Sequence, residues 1–292
     1  MPDIASDNQG YVECWNEILT PKWIRFRHLL SGNGKIHSDI ADRDFDIQLG
    51  DRVLDVACGF GETSLALGKK VGPECEVLGI DCTESFIAIA EKERAQSGVD
   101  NVRFELGDAM VAELPENYFD VVYVRFGMMF FESAVRAMRN LRRSMKPGGK
   151  LCMLVWRSLA ENPAWNTAKE VALEFLPPPG DGAATCGPGP FSMASEETDR
   201  AMMQAAGFSD VLLFRQIDAD VRLGRDVEEA VDFQLLVGPS GEIIREAGPE
   251  GQRKLPEIRR ALGDRFAQHL RDDGVYLPSS TWAIMATKSA DA

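Results

Sequence analysis

Residues 53–63 read Val-Leu-Asp-Val-Ala-Cys-Gly-Phe-Gly-Glu-Thr, and this stretch constrains the fold more than any other. A short apolar strand carries a carboxylate near its end, a turn with glycines at 59 and 61 follows, and a helical pattern starts at once. Glycine lets the backbone bend sharply there and lets a ligand approach the main chain closely. Further strand patterns fall at residues 52–57, 76–80, 102–105, 120–124 and 150–156, with helical stretches near 63–71, 84–96 and 131–145 between them. Strands alternating with helices at this spacing predict an α/β fold, a parallel sheet with helices on both faces. Gly148–Gly149 after Pro147 is expected to turn the chain into the fifth strand.

The flanks differ. Residues 11–31 have Trp15, Ile18, Leu19, Trp23, Phe26 and Leu30 at helical spacing, with a break at Pro21 and punctuation at Gly32 and Gly34. Residues 158–193 hold a Pro/Gly-rich run read as a loop or lid, with a short helix near 164–175. A helix capped by Ser195 and ended by Gly207 follows, then a strand at 211–217, mostly helical sequence over 225–273, and a final strand at 281–287. The expected organisation is an N-terminal helical cap, 1–48, and one domain, 49–292, with insertions at about 158–193 and 225–273 forming a lid.

The formal charge of −14 argues against nucleic acid as an obligatory partner, since that needs a basic surface. Arg136, Arg139, Arg142 and Arg143 read as a solvated helix face. The start of the chain lacks a secretory pattern, and no window approaches the roughly 20 apolar residues of a membrane span. A cytoplasmic protein without stable membrane insertion is the expectation. Cys14, Cys58, Cys75, Cys82, Cys152 and Cys186 show no metal-binding spacing and are expected as free thiols, with no metal site.

The glycine turn has a rival reading as a dinucleotide fingerprint. That pattern, started at Gly59, needs glycine where Ser64 stands. Asp55 and Glu62 would also repel a pyrophosphate held in this loop, whereas a ligand with an ammonium and a sulfonium gains from them. Asp81, ending the second strand, can accept ribose hydroxyls, which both kinds of cofactor carry. Asp108, after the third strand, can accept an adenine amino group, although Gly107-Asp108-Ala109 is also ordinary turn sequence.

Taken in order, VLDVACGFGETS, GID, GDA, ENYFDVVYVRFGMMFF and LRRSMKPGGKLCMLVW resemble class I S-adenosylmethionine (SAM)-dependent methyltransferases. Within these, the chain looks most like the bacterial ubiquinone/menaquinone-methyltransferase-like group. The resemblance covers roughly residues 48–158, and more weakly 195–217 and the final strand. It implies a Rossmann-like, doubly wound seven-stranded sheet whose last strand is antiparallel. It also implies that Asp55, Ala57, Gly59 and Gly61 surround the methionine part of SAM, with Asp81 on the ribose and Cys82 packing on adenine. Asp108 and Ala109 would contact adenine, and Arg125 would stand beside the methionine moiety and the transfer site. Ala57 departs from the glycine most often found there, as it does in this subgroup. The products implied are S-adenosylhomocysteine and a methylated small organic molecule.

Methyl transfer by in-line displacement needs alignment and exclusion of water more than a dedicated base. No catalytic residue is assigned: His28, His37, His269, Tyr11 and Tyr276 lack a supporting constellation. The acceptor pocket is expected over the carboxyl ends of the fourth and fifth strands, at Phe126, Met129, Phe130 and Trp165. Trp15, Trp23, Met128 and Phe191 should add to its apolar walls. Two other readings stay open, a nicotinamide-dependent oxidoreductase and a non-catalytic SAM-binding accessory protein.

Overall fold

A computed structural model describes residues 4–6, 8–178 and 188–289. Its N-terminal part is an almost continuous helical path of α1 (Gln9–Cys14), a π-helical turn (Trp15–Leu19), α2 (Thr20–Arg25) and α3 (Arg27–Phe45). Pro21 lacks the N–H that would continue the α-helical ladder, and the widened turn immediately before it accommodates the missing donor. Thr20 Oγ1 donates to the Trp15 carbonyl at 2.8 Å across this turn. Gly32 and Gly34 do not end the helix, contrary to expectation, but lie inside α3. Tertiary contact overrides their weak helix propensity. At Gly34 an added Cβ would stand 2.9 Å from Arg125 Nη1, so glycine leaves room for that guanidinium.

The sheet elements follow in alternation: β1 (Val53–Val56), α4 (Glu62–Val71), β2 (Val77–Asp81), α5 (Glu84–Ser97), β3 (Val102–Leu106) and β4 (Phe119–Arg125). Then come α6 (Ala134–Ser144), β5 (Met145–Trp156), α7 (Pro163–Leu173), α8 (Glu196–Ala205) and β6 (Asp210–Gly224). The helices α9 (Val227–Val237), α10 (Pro239–Glu246) and α11 (Gly248–Ala267) precede β7 (Leu270–Arg271) and β8 (Gly274–Thr287). The strand order is β3-β2-β1-β4-β5-β8-β6, with the two-residue β7 added beside β8. β1 to β5 pair in parallel, whereas β8 is antiparallel to both β5 and β6. The doubly wound sheet with an antiparallel last strand is therefore present, with β7 as a small eighth strand. Every residue of β1 and β2 is buried, as expected for parallel strands covered on both faces.

Two strands run beyond their expected limits. β6 and β8 stay paired from Asp210–Thr287 out to Gly224–Val275. The outer half of β6 alternates, with Val221 and Leu223 buried between more polar neighbours. Such alternation marks a half-exposed strand that an apolar run does not reveal. The Pro147–Gly149 turn proves to be an irregularity inside β5, where the register jumps from Phe119–Met145 to Val121–Lys150.

The helix caps follow local chemistry. Ser195 Oγ accepts from the Thr198 N–H at the start of α8, and Asp226 does the same for Glu229 at the start of α9. In the arginine run of α6, Arg139 donates to the Ala205 carbonyl at the end of α8, and Arg143 pairs with Glu116. Cys58, Cys75, Cys82 and Cys152 are free thiols, but Cys14 is disulfide-bonded, a correction to the expectation for it. Cysteine spacing alone carried no sign of that bond. Cys186 and much of the Gly/Pro-rich part of the expected lid lie outside the described residues. No helix among the described residues is long and apolar enough to cross a membrane.

Candidate functional site

Strand order reverses between β1 and β4, and the crevice at their carboxyl ends is where open α/β sheets hold ligands. The chain leaves β1 through three residues in left-handed conformation: Ala57 (φ 54°), Gly59 (φ 56°) and Gly61 (φ 83°). Gly59 faces open space. Gly61 is closed in, since a Cβ there would lie 2.7 Å from Phe104 and 2.8 Å from Ala90. One glycine thus exposes main chain to the crevice and the other lets α4 seat against its neighbours.

Asp55 is buried beneath this turn and accepts from Ser64 Oγ at 2.6 Å. Burial pushes its carboxyl up to about 7, against the lowering effects of that bond and of Arg125. Asp81 Oδ2 accepts from the Gly59 N–H and Oδ1 from the Thr83 N–H, both at 2.9 Å. The acid ending β2 therefore pins the glycine turn of β1. Burial raises its pKa as well, while these backbone donors pull it down. The Thr83 hydroxyl and the Cys82 N–H add to the same lowering effect, so the carboxylate is held from several sides at the edge of the crevice.

α3 sets the end of β4 by three contacts. Tyr123 Oη donates to Asp42 Oδ1 at 3.1 Å, the Arg125 guanidinium lies against Gly34, and Phe126 meets the His37 ring edge-on at 6.1 Å. Phe126 has φ 56°, a strained conformation for a residue with a Cβ, and stacks on Trp156 with centroids 4.4 Å apart. Gly127 follows because a Cβ there would stand 2.4 Å from that of Ala57. Arg125 has no hydrogen bond or ion pair among the described residues, although it lines the crevice with Asp55.

The crevice opens into a cavity of about 1150 Å³. Of the residues singled out from sequence, Asp55, Ala57, Gly59, Asp81, Cys82, Arg125, Phe126, Phe130 and Trp165 line it. Trp15, Trp23 and Phe191 do so too. Gly61, Asp108, Ala109, Met128 and Met129 do not. Met128 and Met129 are buried in the core beneath it, because the short 3-10 helix Met128–Phe130 turns them inward. Asp108 is covered by the chain itself: its Oδ2 accepts from the Ala5 N–H at 3.1 Å and from Asn8 Nδ2 at 3.0 Å.

The roof comes from the cap and the 225–273 insertion, but most of its individual lining residues were not singled out from sequence as pocket walls. Asn8, Tyr11 and Leu19 come from the N-terminal helices, and Leu235, Ile243, Ile244 and Leu255 from α9 to α11. No local motif marks them. Glu62 also behaves differently from expectation. Arg27 binds it at 2.6 Å and reaches Glu93 at 2.9 Å, so part of the negative charge that argued against a pyrophosphate is offset there. Asp55 and Asp81 remain.

The candidate bases fall away from the cavity except Tyr11. His37 is fully buried, between Ser279 Oγ at 2.8 Å and Thr281 Oγ1 at 3.1 Å, and burial lowers its pKa to about 4. Ser279 Oγ donates to the Ala219 carbonyl, so it accepts the His37 Nε2 proton and the ring is held neutral. His28 pairs with Glu229, and Tyr276 donates to Asp273. Among the described residues no cluster of side chains could hold a metal ion.

Comparisons with known proteins bear on the family and the fold. A family model described as a methyltransferase domain matches residues 47–207. The demethylmenaquinone methyltransferase of Geobacillus kaustophilus is 36% identical over 107 residues, which are 37% of this chain and 46% of that protein. That of Staphylococcus aureus is 32% identical over 137 residues, 47% of this chain and 56% of that protein. The chain thus spans about half the length of the curated relatives it matches. Among solved structures, the YcgJ protein of Bacillus subtilis superposes with a TM-score of 0.54 at 18% identity, over 85% of this chain and 95% of that one. The [4+2]-cyclase SpnF gives 0.51 at 20% identity, over 87% and 80%. These two likenesses establish the fold, and the cyclase shows that the fold does not dictate the reaction.

Proposed function

The chain belongs to the methyltransferase-domain family, and from that premise we propose that it transfers a methyl group from SAM to a small organic acceptor. The observation that carries the proposal is the pair Asp55 and Arg125, groups of opposite charge type that line one cavity and act on each other electrostatically. An amino-acid moiety carries an ammonium and a carboxylate and matches that pair, whereas a pyrophosphate matches only the arginine. The open face at Gly59 and the Asp81 carboxylate lining the same cavity fit an adenosyl group beside it. In this reading Asp55, Ala57, Gly59 and Arg125 hold the methionine part, Asp81 the ribose, and Cys82 the adenine edge. Gly61 shapes the turn without touching the ligand.

When bound, SAM supplies a methyl group already activated on a sulfonium. What remains for the chain is to align an acceptor and keep water out. Phe126 and Trp156 form a stacked wall next to Arg125, and Trp165 packs edge-on to Trp156 at 5.8 Å. An acceptor of mainly apolar surface fits these walls, methylated at an oxygen, carbon or nitrogen.

Isothermal titration calorimetry with SAM and S-adenosylhomocysteine, with NADH and NADPH as controls, tests the proposal. Adenosyl-ligand binding that Asp81→Ala weakens at least tenfold is the expected result. Binding of a nicotinamide cofactor alone would overturn it in favour of an oxidoreductase.

A further inference from the structure

The cavity is larger than one ligand needs. Its volume of about 1150 Å³ exceeds the roughly 300–1,000 Å³ of an ordinary small-molecule site, which leaves room for an acceptor beside the cofactor. The wall on the acceptor's side is a track of rings. Phe126, which follows Arg125, stacks on Trp156, and Trp165 meets Trp156 edge-on with centroids 5.8 Å apart. Trp165 lies in the first turn of α7. Lys169 follows it by four residues, one turn further along the same helix face, and both line the cavity. The track that starts beside Arg125 is therefore continued by an ammonium group.

The roof is basic, although the chain as a whole has a formal charge of −14. Of its charged lining residues, Arg25 and Arg259 share Asp232, at 2.8 and 2.7 Å, and Arg245 pairs with Glu242. Lys22 and Lys169 have no hydrogen bond or ion pair among the described residues. The two lysines differ in place. Lys22 precedes Trp23, which packs against Phe86 of α5 with centroids 6.4 Å apart, just after the end of β2 that the adenosyl reading gives to the nucleoside. Lys169 is partly buried and stands on the acceptor's side. An ammonium at the edge of an apolar wall loses part of its hydration with nothing to replace it, and a ligand anion supplies the replacement.

Resting on the methyltransferase reading, we propose that the acceptor is an apolar molecule carrying one carboxylate, and that Lys169 is the residue that selects it. Its apolar body lies on Phe126, Trp156 and Trp165, with the atom to be methylated at the Arg125 end and the carboxylate on the Lys169 ammonium. One ammonium balances one singly charged group. A neutral acceptor of the same shape leaves that ammonium unpaired, so the wall gives affinity and Lys169 gives selection.

The probes are naphthalene-2-carboxylate and naphthalene-2-carboxamide, matched in shape and different in charge, titrated calorimetrically with and without S-adenosylhomocysteine. The wild-type protein should prefer the carboxylate by roughly tenfold or more, and by less at high salt. Lys169→Met should bring the ratio near one by weakening the carboxylate alone. The carboxamide affinity, held in that variant, shows that the fold is intact. Lys169→Arg should keep the preference. A wild-type ratio near one, binding of neither probe, or a ratio that survives Lys169→Met overturns the proposal. A ratio lost in Lys22→Met and kept in Lys169→Met also overturns it and gives the selection to Lys22. A carboxylate preference that depends on Lys169, in a protein that binds no S-adenosylhomocysteine, would keep the anion site and overturn the cofactor reading instead.

Discussion

The cavity has a floor and a roof built on different principles. The floor, made by the ends of β1, β2 and β4, is held by main-chain donors and close approach: Gly59 and Thr83 N–H on Asp81, Gly61 against Phe104 and Ala90. The roof, made by the N-terminal helices and α9 to α11, is held by side chains far apart in sequence. Arg25 and Arg259 both reach Asp232, at 2.8 and 2.7 Å, and Phe26 meets Phe233 with centroids 5.3 Å apart. Buried floor contacts tolerate little change, whereas half-exposed ion pairs each contribute little. The difference separates a rigid ligand platform from a cover that can be altered piecemeal.

The largest expected effect is on the floor. Gly61→Val sets a branched side chain at φ 83° into Phe104 and Ala90. Strain and overpacking together should cost about 3–5 kcal/mol in urea unfolding. A loss below about 1 kcal/mol would show the floor to be as yielding as the roof.

A second break lies at Asp55, whose carboxyl is pushed up to about 7 by burial. Between roughly pH 4 and 7 the folded protein holds a proton there that the unfolded chain has released. Stability from this group is complete below pH 4 and is lost as pH rises to 7. Asp55→Asn removes the penalty, so the variant should be about 2–4 kcal/mol more stable than wild type at pH 8 and equal to it near pH 4. Its adenosyl-ligand affinity should fall at the same time. Equal stability of the two proteins at pH 8 would show that the carboxylate is not penalised by its burial.

The smallest effects belong to the roof. Arg27→Gln releases Glu62 and Glu93 and should cost about 1 kcal/mol, less at high salt. Arg25→Gln, at an exposed pair, should cost no more than a few tenths. Guanidinium titrations at two ionic strengths check both. A cost of several kcal/mol at either arginine would erase the distinction between cover and platform.

The same contrast explains what could be read from sequence. The floor is local: a strand, a glycine turn and a helix lie within eleven residues, and Asp81 ends the next apolar run. The antiparallel last strand came with the family resemblance. The roof depends on pairs such as Arg25 with Asp232 and Asn8 with Asp108, whose partners share no periodicity. Glu62 was legible as an acid at the turn, but its ion-pair partner Arg27 sits 35 residues upstream. Gly34 looked like a helix breaker because its reason for being glycine, the Arg125 guanidinium, lies 91 residues away on another element. Met129 and Phe130 are adjacent in an apolar run, and only the hand of a short 3-10 turn decides which reaches the cavity.

The position of β8 bears on how the molecule is made. It sits between β5 and β6, yet it follows α9, α10 and α11 in the chain. During synthesis from the N-terminus, β5 has an unpaired flank and β6 has no partner until residues 274–287 leave the ribosome. Three helices must wait beside two open edges that can pair with another nascent chain. The last sheet strand to emerge is the one that joins β6 to β5, so the edge of the sheet closes only after residues 274–287 have been made.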